Sequence, residues 1–142
     1  MSVYFPHGGD DDGDVEGLYS EIDKTIEGAR RQNRTCILLG DWNAVVGPRQ
    51  EGDDEDSVGR YGIGRRNDRG QWLTQWTSTQ RLTIANTNIR KSFEEQWTHS
   101  NGGSKRQIDF ILICKDKANW IEDAGLTKWS ALEMITEQLI YV

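Results

Sequence analysis

The sequence predicts an α/β domain, and three stretches near its start carry that reading. Val3 to Phe5 is a short β-prone run stopped by Pro6, His7, Gly8 and Gly9, a strand running into a loop. Val15, Leu18, Tyr19, Ile22, Ile26 and Ala29 then fall on one face of a helix of about 18 residues, with Arg30 and Arg31 suited to its negative C-terminal end. Cys36 to Gly40 follows as an unbroken apolar run, the pattern of a strand covered on both faces. Strand, helix and buried strand in succession is the α/β order, and the chain reads as starting in the middle of a sheet.

The later elements follow from the same patterns. Val46 to Gly70 reads as a long polar loop with six glycines, after which Trp72, Leu73 and Trp76 mark a short amphipathic helix capped by Asn67 or Asp68. Leu82 to Ala85 is a third expected strand, Gln96 to Ser100 a fourth and Arg106 to Cys114 a fifth. Asn101, Gly102 and Gly103 supply hairpin-turn chemistry between the last two. In the fifth strand Gln107, Asp109, Ile111 and Ile113 share one face, which sets a carboxylate in line with core residues. Trp129, Leu132, Ile135 and Leu139 give the tail near-helical spacing, and no internal repeat is present.

Composition bounds the rest. A chain of 142 residues fits one domain. Its mean hydropathy of −0.73 is low, yet six Trp and three Phe are more large aromatics than a chain without a core carries. No stretch approaches the roughly 18 apolar residues that cross a bilayer, and no apolar leader opens the sequence. Cys36 and Cys114 sit in apolar runs without metal-ligand spacing and read as two buried free thiols. The expected location is therefore intracellular, nuclear or cytoplasmic, without a membrane partner.

The net charge of −6 is unevenly spread. Asp10, Asp11, Asp12, Asp14 and Glu16 form one acidic cluster, and Glu51, Asp53, Asp54, Glu55 and Asp56 form another, both expected to be solvated loops. Residues 57 to 106 carry nine Lys/Arg against three Asp/Glu, a local balance of +6. Such a stretch either meets a phosphate-rich partner or coats helix and hairpin surfaces, and charge alone does not decide between them.

Two motifs carry chemistry. Gly40, Asp41, Trp42 and Asn43 stand where a buried strand exits into a loop, the place where open α/β sheets put ligand groups. Asp41 can act as base and acceptor and Asn43 as neutral donor, a pair suited to phosphodiester hydrolysis; the same residues also make an ordinary cap and turn. Asp109, between Ile108 and Phe110, needs a partner to remain charged, whether a histidine, a metal site, the backbone or Arg106. His7 and His99 stand beside glycine or polar residues and read as exposed loop histidines. Tyr4 offers either a phosphate-contacting hydroxyl or a half-buried aromatic, and pattern alone favours the second.

Taken in order, VYFPHGG (3 to 9), ILLGDWNAVVG (37 to 47), GRYGIGRRNDRGQWL (59 to 73), LTIANTNI (82 to 89) and QWTHSNGGSKRQIDFILI (96 to 113) resemble the endonuclease/exonuclease/phosphatase superfamily. More narrowly they resemble the endonuclease domain of non-LTR, LINE-type retrotransposons and the craniofacial-development-protein-2-like sequences. The resemblance implies a partial four-layer α/β sandwich of the DNase I type, with two packed, mainly antiparallel or mixed sheets flanked by helices. It spans residues 1 to 125 as an endonuclease-like domain lacking the family's amino-terminal part. Residues 126 to 142 stand as a divergent tail in place of a Ser-Asp-His segment.

Carried over residue by residue, the resemblance implies that Asp41 positions or activates the attacking water and is a possible metal ligand. Asn43 contacts the scissile phosphate, Tyr4 donates to it, and Asp109 orients a catalytic histidine. Mg²⁺ or Mn²⁺ is the implied cofactor and DNA the implied partner. It is the basic balance of residues 57 to 106, not the resemblance, that offers Arg65, Arg66, Arg69, Lys105 and Arg106 as phosphate contacts, as a binding remnant would use them. The family's metal-binding Glu and its Ser-Asp-His histidine have no counterpart in the sequence, and His7 stands where an Asn is usual after Tyr-x-Pro. The expectation is a truncated or degenerate endonuclease domain with impaired activity, prone to self-association. The alternative is an inactive nucleic-acid- or protein-binding remnant. A lipid or inositol phosphatase of the same fold is disfavoured by the retrotransposon-like loop.

Overall fold

The computed structural model describes residues 1–7 and 12–124. Its strands and α-helices are joined by two 3₁₀ segments and one long connection. In chain order they are β1 (Ser2–Tyr4), α1 (Asp12–Arg31), β2 (Ile37–Asp41), α2 (Asp68–Thr79), β3 (Leu82–Ile84), α3 (Phe93–Gln96), β4 (His99–Asn101), β5 (Ser104–Arg106) and β6 (Asp109–Cys114). The 3₁₀ segments are Ala85–Asn88 and Lys115–Trp120. The fold is mixed α/β with two sheets, as the sequence predicts. A four-stranded sheet has the order β1-β2-β6-β3, parallel only between β1 and β2, and β4 pairs with β5 in a separate hairpin. The tail and its expected helix lie outside the described residues.

Register separates two apolar faces. In the β2–β6 pairing, Leu38 stands opposite Leu112 and Gly40 opposite Phe110, whereas Ile37, Leu39 and Asp41 stand opposite Ile113, Ile111 and Asp109. The first set joins Val15, Ile22 and Ile26 of α1, Leu73 of α2 and Trp42 in the main core. Ile37, Leu39, Ile111 and Ile113 of the second pack with Ala85, Ile121 and Ala124. The helix expected over Val15 to Ala29 is present with that buried stripe, and its last turn holds Arg30 and Arg31. The doubly covered strand, however, is β6, whose Phe110 to Ile113 are all buried; on β2 only Leu38 is fully buried. Both β2 and β6 lie between two other strands, and the apolar run did not show which of them is covered on both faces. Cys36 is buried and Cys114 only half-buried, and both are free thiols.

Two strand boundaries differ from expectation for local reasons. The stretch from Gln96 begins not as a strand but at the end of a helical turn, because Ser92 and Glu95 form a capping box at the start of α3. The run from Arg106 to Cys114 is broken at Gln107 and Ile108. There Trp42 N–H donates to Ile108 O (2.9 Å), and Thr98 Oγ1 accepts from Ile108 N (3.1 Å) and Asp109 N (3.2 Å). Backbone groups that a continuous strand would give to one ladder are shared out to two other segments. The hairpin turn falls at Gly102 and Gly103, with φ of +55° and +86°, values that glycine reaches without strain.

The connection from Val46 to Asn67 is not a merely polar loop. It sends Val46 and Val58 into the main core. Arg66 fastens it, donating to Val46 O (2.8 Å) and gripping both oxygens of Asp53 (2.7 and 2.6 Å), with side-chain exposures of 5% and 8%. Burial alone would raise the Asp53 carboxyl, but Arg66 and the Gln50 N–H together hold it below its ordinary value. Lys115, with Ser78 and the Asp56 N–H, brings Asp54 down to about 2. The second acidic cluster is thus partly a set of internal anchors, not a solvated loop. Asn67 caps α2 by accepting from Gly70 N (2.8 Å), and it accepts from Val45 N (3.0 Å) with the same oxygen.

Arg66→Ala leaves the Asp53 carboxylate buried without its cation. It should lower unfolding stability by about 3 kcal/mol in chemical denaturation, against less than about 0.5 kcal/mol for Arg65→Ala on the exposed neighbour. Equal effects of the two would contradict the clamp.

Candidate functional site

The site is built by four consecutive residues, each with a different physical task. Gly40 has φ +145°, and a Cβ there would lie 1.9 Å from Val3 O, so only glycine lets β1 approach β2 at this point. Asp41 ends β2 and, through the antiparallel register, faces Asp109 at the start of β6. Side chains directly opposite in such a pair project to the same face of the sheet, so the two carboxylates are neighbours. Trp42, 2% exposed, stacks on Phe5 (4.9 Å between ring centroids, 21° between planes) and donates from Nε1 to Phe110 O (3.3 Å). Asn43 adopts φ +45°, a conformation Asn tolerates, and its backbone N–H donates to Asp41 Oδ1 (2.8 Å).

Asn43 is also a hub. Its Nδ2 donates to Phe5 O (2.6 Å), and its Oδ1 meets His7 Nδ1 at 3.1 Å. On the other side of that ring, His7 Nε2 lies 3.5 Å from the Tyr4 hydroxyl. Tyr4 is 64% exposed at the end of β1, not the half-buried aromatic that pattern alone predicts, because the neighbouring Val3 takes the inward position. Asp41, Asn43, Asp109 and Tyr4 are thus brought to one end of the sheet. Three further residues stand there that sequence reasoning set aside or passed over. His7 and His99 are exposed, as expected, but His99 belongs to β4 and both are close enough that a positive charge on either would favour ionised Asp41. Thr98 holds the Ile108 and Asp109 backbone. A histidine two residues after Tyr-x was the available signal for His7; nothing local marked Thr98.

Electrostatics at Asp41 are set first by burial, which raises its carboxyl, then by the Asn43 N–H, which lowers it, and by Asp109, which raises it. The net shift is upward. Two carboxylates side by side favour a cation or a proton between them. Among the described residues no group of three or more His, Cys, Asp or Glu side chains comes together to hold a metal ion. Asp41 and Asp109 are the residues that would hold one. A carboxylate pair, with the other positions left to water, suits a hard divalent cation.

The basic residues are divided. Arg65 and Arg106 are exposed, and Arg106 pairs with His99 on the hairpin beside the site. Arg66 is committed to Asp53, Lys105 to Glu94 (2.8 Å) and the Trp97 ring (4.6 Å), and Arg69 lies over the Trp72 ring (5.6 Å). Among the described residues no helix is long and apolar enough to cross a membrane.

A mixed α/β domain with a carboxylate pair, an amide and an imidazole at one end of its sheet is the class these observations define. Among proteins, the chain is similar to craniofacial development protein 2 of Bos taurus, 29% identical over 119 residues, which cover 82% of this chain and 19% of that protein. It matches craniofacial development protein 2 of Tragulus javanicus at the same identity and length, covering 20% of it. The resemblance to these sequences read from the motifs is thereby borne out, and the chain spans about a fifth of their length. Among solved structures, the endonuclease domain of TRAS1, a telomere-specific non-LTR retrotransposon, matches with a TM-score of 0.45 and 16% identity, over 74% of this chain and 41% of that one. No protein-family model matches.

Asp109→Asn should bring the Asp41 carboxyl down toward its ordinary value in a metal-free NMR titration. A carboxyl raised in the folded state weakens the fold as pH rises through 3.8 and beyond. The substitution should therefore be neutral below about pH 4 and stabilise by about 0.2 to 1 kcal/mol at pH 7. An unmoved Asp41 titration would show that the two side chains do not share a face.

Proposed function

We propose that this chain is an endonuclease-type domain that binds DNA and hydrolyses its phosphodiester bonds with a divalent cation, with low activity. The observation that carries the reading is the Asp41–Asp109 pair, with Asn43 bound to Asp41 and Tyr4 on the same rim. The motif resemblance adds the reaction type, the nick that in LINE-type elements frees a 3′-hydroxyl.

In this reading Asp41 accepts a hydrogen bond from the attacking water and orients it. Asn43 already gives one Nδ2 hydrogen to Phe5 O and offers the other to a non-bridging phosphate oxygen. The exposed Tyr4 hydroxyl donates to the same phosphate. Bound Mg²⁺ or Mn²⁺ would supply charge stabilisation of the pentavalent phosphorus and its leaving oxygen. Asp41, with Asp109 beside it, would hold the ion. Two carboxylates hold a hydrated ion weakly, which supports slow turnover. The same scarcity of ligands favours the second reading, a domain that binds phosphodiesters without cutting them. Arg65 and Arg106 are the contacts to DNA that this chain leaves exposed, whereas Arg66 serves the fold.

Purified chain should nick supercoiled plasmid slowly in Mg²⁺, and Asp41→Ala should reduce the rate on the order of 100-fold. Nicking that survives Asp41→Ala would remove the reading, and binding without any nicking would leave the non-catalytic one. Affinity for duplex DNA should fall steeply with salt. Reversing Arg65 and Arg106 together should flatten the log–log salt slope by about 2, roughly 0.9 for each phosphate no longer neutralised.

A further inference from the structure

His7 is the group at this site with a role still open, and its two ring nitrogens have different partners. Asn43 settles which nitrogen carries hydrogen. Because Asn43 Nδ2 donates to Phe5 O at 2.6 Å, the amide is oriented with Oδ1 toward the ring, and Oδ1 can only accept. The 3.1 Å contact therefore requires a hydrogen on His7 Nδ1. In the neutral ring Nε2 is then bare, with the Tyr4 hydroxyl 3.5 Å away as a long, loosely committed donor. The usual preference of a free imidazole is the reverse arrangement, so the hydrogen bond to Asn43 selects the form with its basic nitrogen facing the open rim.

The surroundings say what that nitrogen is for. The carboxylates of Asp41 at the end of β2 and Asp109 on β6 face the site, and both repel an incoming phosphate. Asp14 and Glu21 of α1 line a shallow cleft with Tyr4 and Pro6, adding negative charge on that side. His99 of β4 is the other imidazole within reach of Asp41. A phosphate oxygen entering beside Tyr4 needs a positive donor, and an imidazole is the side chain that becomes one near neutral pH. Resting on the reading of the site as one that binds phosphodiesters, we propose that His7 is held by Asn43 in the Nδ1–H form and takes up a proton on Nε2 when a phosphodiester binds. The proton comes from the buffer to the Nε2 lone pair, and the ring goes from neutral to singly positive. Nε2–H then donates to the phosphate oxygen, while Tyr4 turns from donor on the ring to donor on the ligand. No covalent bond of the ligand changes in this step.

The test is long-range ¹H–¹⁵N NMR of the histidine rings in the ¹⁵N-labelled full chain, with dimethyl phosphate as the diester probe and inorganic phosphate as the monoester-like comparison. In the neutral, unliganded ring the His7 signal should show protonated Nδ1 and bare Nε2. At constant pH, dimethyl phosphate should move both nitrogens toward the imidazolium positions, and Asn43→Ala should return the unliganded ring to the Nε2–H form. An Nε2–H ring in the unliganded wild-type chain, a ring unmoved by saturating dimethyl phosphate, or a chain that binds no dimethyl phosphate would overturn the proposal. A response to inorganic phosphate alone would overturn it as a diester site. The plasmid assay is scored apart: nicking without a ring response keeps hydrolysis and removes His7, and a ring response without nicking keeps His7 and removes hydrolysis.

Discussion

The pairing register between β2 and β6 is the constraint from which the rest of the molecule follows. Side chains alternate along both strands, so a slip of one residue would carry every inward group to the other face. With Leu38 opposite Leu112 and Leu39 opposite Ile111, two separate apolar faces are filled, and the third pair on the second face is Asp41 with Asp109. The carboxylates meet because the apolar residues behind them do. Their repulsion is a local cost carried by the strand pairing, and it falls at the end of the sheet, where water and ligands can reach.

The Gly-Asp-Trp-Asn run turns that register into a site. Trp42 fixes the chain to the main core through Phe5 and Phe110, while the residues on each side of it point the other way. A buried aromatic between two polar residues acts as a fulcrum: its packing sets the direction of Asp41 and Asn43 without touching a ligand. The same core extends to Tyr19 of α1 and Trp76 of α2, whose rings lie 4.9 Å apart, so both helices bear on the segment that carries the chemistry. Burial lifts the Tyr19 hydroxyl well above its usual range, as expected of a phenol inside this aromatic cluster.

Much of this was legible in the sequence where local chemistry and burial agree. The helix over Val15 to Ala29, the Asn67 cap, the glycine hairpin and the placement of Asp41 and Asn43 at a strand exit are all set within a few residues. What was not legible depended on partners distant in the chain. Asp53 and Arg66 are thirteen residues apart, and composition alone assigned one to a solvated cluster and the other to a nucleic-acid face. His7 meets Asn43 across 36 residues, and only the β1–β2 pairing brings them together. The break before Asp109 follows from Thr98 and Trp42 claiming its backbone groups, a competition no periodicity records.

The β4–β5 hairpin carries a consequence of its own. Its strands are three residues each, five of their six residues are exposed, and its turn is two glycines. Two short strands without an apolar face have little cooperative stability beyond their anchorage, here the Thr98 and Trp97 contacts at the base. Its amides are therefore expected to exchange with solvent long before those of β6. Because it bears His99 and Arg106, the side of the site with the least anchorage is the one that carries its cationic groups, whereas the carboxylate pair is held by the β2–β6 register.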